Sequence, residues 1–170
     1  MKTIPATDIT TYVGGGITEA DQWRITANFT SGAGGEDLTE NWERDDNSAF
    51  DKLGTGMSES SGIFTFPSTG YWVIMGTITS YLSTGYEYAT SYLQATVDNS
   101  SYAEVCASAN GSAGTGGGYS SSSYQFIFDV ESTTNCKVKF RLGSSEENIV
   151  RMGNTNFNWT CLTFIRLGDT

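Results

Sequence analysis

The residues best placed by type to do chemistry are two adjacent carboxylate pairs, Asp45-Asp46 and Glu146-Glu147, and three thiols, Cys106, Cys136 and Cys161. A pair of carboxyl groups can serve glycoside hydrolysis as acid and nucleophile or base, and a thiol becomes a nucleophile when a neighbouring base activates it. Neither arrangement is completed. The chain contains no histidine, which removes Ser-His-Asp and Cys-His groupings, HExxH zinc sites and every imidazole acid or base. Adjacent carboxylates in a strand point to opposite faces, and in a turn they are ordinary solvated residues. Gly54-Thr55-Gly56 precedes neither a Lys-Ser/Thr pair nor a helix, so it is no phosphate loop. No enzyme is indicated.

Asp45-Asp46-Asn47, with Asp51 nearby, could gather oxygen ligands for calcium. Calcium needs six to eight oxygens, and the run lacks the spacing of an EF-hand loop; neither metal nor cofactor is expected. Three cysteines without a C-x-x-C arrangement suggest buried reduced thiols, the alternative being one disulfide. Tyr81, Tyr86, Tyr88 and Tyr92 flank Ser83-Thr84-Gly85. On an exposed loop such rings stack on sugars or anchor a protein; alternation favours burial for most of them.

The elements that must position these groups are strands. The 170 residues carry many Ser, Thr, Gly and aromatic side chains and only two prolines, without a sustained helical period. Gln22–Thr30 alternates, with Trp23, Ile25, Ala27 and Phe29 on one face. Further strands are predicted at 41–44, 50–53, 62–66, 70–81, 90–97, 101–107, 124–130, 136–142, 149–152 and 158–167. Gly111–Ser123 is of low complexity and reads as a long exposed loop. Nine Lys plus Arg against nineteen Asp plus Glu give a formal charge of −10. Such a surface repels phosphate backbones, so no nucleic acid is expected. The longest clean apolar run, Tyr71–Met75, is far short of a membrane span, and Lys2 has no apolar segment behind it of the kind a secretory leader needs.

Phe50-Asp51, Gly62, Phe64, Phe66-Pro67, Gly70, Tyr71 and Trp72 together form a pattern that resembles the C1q/tumour-necrosis-factor jelly rolls. The ending Asn156–Ile165 is similar to that family's final strand. The resemblance runs from about Trp23 to Gly168 and implies an all-β, two-sheet antiparallel jelly-roll sandwich that works as a homotrimer and binds or caps something. Residues 17–170 would form the jelly roll.

Both faces of two strands are apolar. Tyr71, Val73, Met75 and Tyr81 lie on one side of the 70–81 strand and Trp72, Ile74 and Ile78 on the other. In the last strand Phe157, Trp159, Cys161, Ile165 and Leu167 oppose Leu162 and Phe164. A sandwich strand has only one core face, so something must cover the second. The expected cover is a neighbouring protomer, with Trp72, Ile74, Ile78, Leu162 and Phe164 as the trimer interface. Cover by the chain's own arm and loops is the alternative, and it gives a monomer.

Residues 1–16 read as an arm hinged at Gly14-Gly15-Gly16, with Ile4, Ile9, Tyr12 and Val13 as docking side chains. The arm, the acidic surface, the Ser/Gly-rich loops and the FTFPSTG turn resemble small C1q-like proteins of tailed phages, especially marine ones. That resemblance implies a virion structural protein, either a capsid decoration or head-fibre protein or a tail-fibre tip. Such a protein is assembled in the bacterial cytoplasm, is attached to a capsid or fibre protein by the arm, and can reach a host-surface glycan or receptor. The other reading is a secreted C1q-like module that recognises glycans or proteins.

Overall fold

A computed structural model of the chain describes residues 16–112 and 116–170. The proposed arm, with Ile4, Ile9, Tyr12 and Val13, lies almost wholly outside the described residues. Thirteen strands make up the regular structure among those described: β1 (Ala20–Ile25), β2 (Phe29–Ser31), β3 (Glu36–Asp37), β4 (Trp42–Arg44), β5 (Ser58–Ser60), β6 (Ile63–Thr65), β7 (Gly70–Leu82), β8 (Tyr86–Thr96), β9 (Ala103–Ser112), β10 (Gly118–Val130), β11 (Lys137–Ser144), β12 (Ile149–Arg151) and β13 (Cys161–Gly168). No helix among the described residues is long and apolar enough to cross a membrane.

The strands form two antiparallel sheets. The seven-stranded sheet runs β2-β12-β7-β13-β1-β4, with β10 also on β7. The six-stranded sheet runs β5-β6-β11-β8-β9, with β3 on β11. A strand has only two edges, so the registers fix how β7 is surrounded. β10 pairs along its whole length, from Gly118 with Leu82 to Val130 with Gly70. On the other edge β13 pairs with Tyr71–Thr77, and β12 takes over at Ser80 and Tyr81.

The sheets close over an aromatic core. Phe64 packs edge-on against Trp23 at 5.5 Å, Trp42 at 5.1 Å and Phe140 at 5.8 Å, and Phe66 does the same to Trp72 at 5.3 Å and Phe128 at 5.6 Å. Each such side chain contributes about 1.5–3 kcal/mol by leaving water, and the edge-to-face geometry adds about 0.5–1.5 kcal/mol per pair.

Several elements depart from the sequence reading. The predicted 22–30 strand is broken in two, because β1 pairs with β4 and β13 whereas β2 crosses to β12. Phe50–Leu53 is not a strand and contributes one isolated bridge, Leu53 with Ala20. Its loop is pinned instead by the buried Asp21 carboxylate, which accepts from the backbone N–H of Met57 at 2.7 Å, from Trp23 Nε1 at 2.9 Å and from Arg44 Nε at 3.0 Å. The expected 111–123 loop is largely strand, since Ser120–Ser123 continue β10 against β7. Hydroxyl pairs such as Thr79 with Ser121 at 2.8 Å hold that stretch in the sheet.

Candidate assembly surface

Along β7 even-numbered side chains enter the sandwich and odd-numbered ones face away from it, as the two-residue period of a strand requires. Trp72, Ile74 and Ile78, with Leu162 and Phe164 of β13, are essentially fully buried within the single chain. Assigning these five to the trimer interface is therefore corrected: they are the protomer's own core, and a buried side chain has no surface to offer a second copy. Both faces of β7 and β13 do carry apolar side chains, and the face read as the interface is the one buried within the chain.

The outward face can be built row by row from the registers. Val73 stands between Ile127 of β10 and Ile165 of β13. Met75 stands between Gln125 and Thr163, and Thr77 between Ser123 and Cys161. Tyr71 is 42% exposed, Ile127 59% and Leu167 54%. An open groove of about 380 Å³, lined by Met75, Gly76, Thr77, Ser123, Tyr124 and Gln125, runs between β7 and β10. Beyond the hydroxyl rows the face turns aromatic again. Tyr81 lies 4.7 Å from Tyr119, Trp159 stacks on Tyr119 at 5.7 Å, and Phe157 meets Trp159 edge-on at 5.6 Å. The result is an apolar end, a hydroxyl band and an aromatic end on one face.

The margin of this face is charged. Gln22 Nε2 donates to Thr163 Oγ1 at 2.9 Å, and the next outward residue of β1, Arg24, is buried under its own counterions. Its Nη1 lies 2.6 Å from Asp45 Oδ1, and its Nη2 bonds Asp46 and approaches Glu43 at 3.6 Å. Burial works to raise the Asp45 pKa, but hydrogen bonds from Asn158 and the Asn47 backbone and the Arg24 cation outweigh it and hold the carboxyl below its usual value. Asp45 and Asp46 are thus spent on a cation, and Glu146 and Glu147 are exposed in the β11–β12 turn. Among the described residues no three His, Cys, Asp or Glu side chains converge on a metal position.

The remaining sequence candidates separate. Tyr86 and Tyr88 fall on opposite faces, because a bulge between Tyr86 and Ala89 shifts the register of β8. Tyr86 is buried and Tyr88 exposed. The three thiols are free, but only Cys136 is fully buried. The exposed apolar residues Ile127 and Ile165 were not among those the sequence reading chose for an interface. Bulk gave no signal, since the opposite set also holds large rings in Tyr71, Tyr81, Phe157 and Trp159.

No family model matches the sequence, and no curated protein sequence matches it either. Solved structures do match in shape. Eiger TNF from S. frugiperda superposes with a TM-score of 0.66 at 11% identity, covering 89% of this chain and 93% of that one. Murine APRIL gives 0.61 at 9% identity over 88% of this chain and 98% of its own. The fold is a TNF-like jelly roll. At such identities the likeness concerns architecture alone.

Proposed function

We propose that the chain is a non-enzymatic homotrimeric knob, in which the outward faces of three seven-stranded sheets meet about a three-fold axis, serving as a structural protein of a tailed-phage virion. The carrying observation is the row Ile127–Val73–Ile165, flanked by Tyr71 and Leu167, which crosses β10, β7 and β13 from the sheet's β10 edge inward. Contiguous apolar surface of this kind marks a contact site, and cyclic closure lets three copies shield one another with no patch left over. Residues 1–16 serve as the arm that attaches the knob to a capsid or fibre protein, and three arms on one trimer multiply a weak contact. Assembly in the bacterial cytoplasm followed by residence on the particle goes with this role.

Sedimentation of the purified chain tests the trimer: three times the 18.3 kDa chain mass at micromolar concentration is expected, and a monomer overturns it. Purified particles test the location. The protein is expected among their components, and a form lacking residues 1–16 is expected to trimerise yet fail to join them.

One observation favours a recognition role beside the structural one. A groove lined by Tyr88, Tyr92, Glu104, Arg141 and Ser144 lies on the six-stranded sheet, which such a trimer leaves uncovered. Rings and planar polar groups of this kind suit a host-surface sugar. Binding of the trimer to a glycan array, lost on Tyr88→Ala, would give the knob a receptor function; an array without signal leaves it structural.

A further inference from the structure

Cations are scarce in this acidic chain, and most are engaged where they stand. Arg24 and Arg151 are buried, Arg44 pairs with Asp21, Arg166 pairs with Asp169, and Lys52 donates to the Gly54 carbonyl. Apart from Lys2, which lies outside the described residues, that leaves Lys137, Lys139 and Arg141. All three stand on β11 at alternate positions. The residues between them are buried in the sandwich, so the three cations share the outward face of the six-stranded sheet.

Carboxylates offset this row only in part. Asp37 Oδ2 lies 2.7 Å from Lys139 Nζ and its Oδ1 lies 3.7 Å from Arg141 Nη1, while Lys139 Nζ also sits 4.7 Å over the Tyr102 ring. Glu104 is exposed beside Arg141. Lys137 has no carboxylate within ion-pair distance among the described residues. Glu59 comes near it, but stands opposite Phe64 and turns its carboxylate to the Gly62 N–H at 2.6 Å. The row therefore keeps a positive charge on a chain of formal charge −10.

Each end of the row opens into a groove. Arg141 reaches the one of about 260 Å³ that also holds Tyr88 and Tyr92, and Lys137 lines one of about 390 Å³ with Ser58, Ser60, Ser61 and Thr65. Four residues of strand separate the two cations, or about 14 Å. A ligand that touches both is extended, and its negative groups are far apart. Rings and hydroxyls suit sugars, and one cation in each groove suits one carboxylate in each. Closely spaced phosphates would instead meet Asp37 and Glu104 along the way.

We infer that the β11 row binds an acidic polysaccharide in which uronic acids are separated by neutral sugars, one carboxylate resting at Arg141 and another at Lys137. This rests on the recognition reading of the Tyr88 groove, to which it adds a ligand class and a second subsite.

The test offers the full chain hexasaccharides of hyaluronan, unsulfated chondroitin and heparosan, in each of which a uronic acid alternates with a neutral sugar, beside their carboxyl-reduced neutral twins. At least one acid form is expected to bind about tenfold or more tighter than its twin, the equivalent of one hydrogen bond to a charged group, and the difference should shrink as salt is added. Lys137→Gln should weaken that hexasaccharide about tenfold and leave the corresponding disaccharide, which fills only the Arg141 groove, unchanged. Arg141→Gln should weaken both. Equal binding of acid and twin would overturn the inference while leaving the Tyr88 groove a sugar site; no binding of either would overturn both readings. A change in sedimenting mass on Lys137→Gln would make the row a protein contact and overturn the inference as well.

Discussion

Tyr71 and Trp72 are neighbours on β7 that face opposite ways: the indole is fully buried in the sandwich, while the phenol is 42% exposed. Trp72→Ala opens a cavity beside Phe66 and is expected to cost about 3–5 kcal/mol, read from urea unfolding at fixed protomer concentration. Tyr71→Ala removes a ring from the proposed assembly face and is expected to leave the protomer within about 1 kcal/mol of wild type. Equal losses from the two substitutions would deny that the indole side alone is the core side.

Ile127, on the edge strand β10, pairs with Val73 on the outward face. Ile127→Asp places a carboxylate there in every copy, so association would bury three like charges near one axis. The variant should sediment as a monomer with an unchanged far-UV CD spectrum. A trimer that survives the substitution would move the interface elsewhere.

The sequence made the all-β class and the long strands legible because both depend on local pattern: alternation names the faces of β7 and β13, and the Phe64–Trp72 run carries its own turn. What it assigned wrongly was which of two apolar faces is core, since each strand alone is symmetric in that respect. The decision comes from partners distant in sequence, such as Phe64 against Phe164 at 5.3 Å. The β5–β6 hairpin escaped for a different reason. Ser58-Glu59-Ser60 has no strand-like composition and is recruited by its neighbour, with Glu59 opposite Phe64. The serine tract in β10 was misread in the same way, because hydroxyls that look like loop residues bond across strands.

Asp45 gives a pH signature. Its carboxyl is held below the ordinary value in the folded chain, so the stability it contributes is fully present above the unfolded pKa of about 3.9 and is lost as pH falls through the lower folded value. Asp45→Asn should therefore lower stability by about 1.5–3 kcal/mol at pH 7. The gap between variant and wild type should close between about pH 5 and pH 2. Melting curves across that range measure it, and a constant gap would deny Asp45 the role of counterion.

The β5–β6 hairpin offers the sharpest backbone test. Ser61 and Gly62 both have positive φ, 53° and 81°, between the paired residues Ser60 and Ile63. Two such residues make a type I′ turn, for which Asn-Gly is the preferred pair. A Cβ at position 62 would also collide with the Leu38 carbonyl oxygen. That oxygen accepts from Trp42 Nε1 at 2.9 Å and so is poorly free to move. Gly62→Ala is expected to cost about 1–3 kcal/mol, whereas Ser61→Asn should stabilise by a few tenths to about 1 kcal/mol by matching the turn. Thermal unfolding of the two variants side by side measures the difference in sign; a neutral Gly62→Ala would mean that the hairpin does not hold this turn against Leu38.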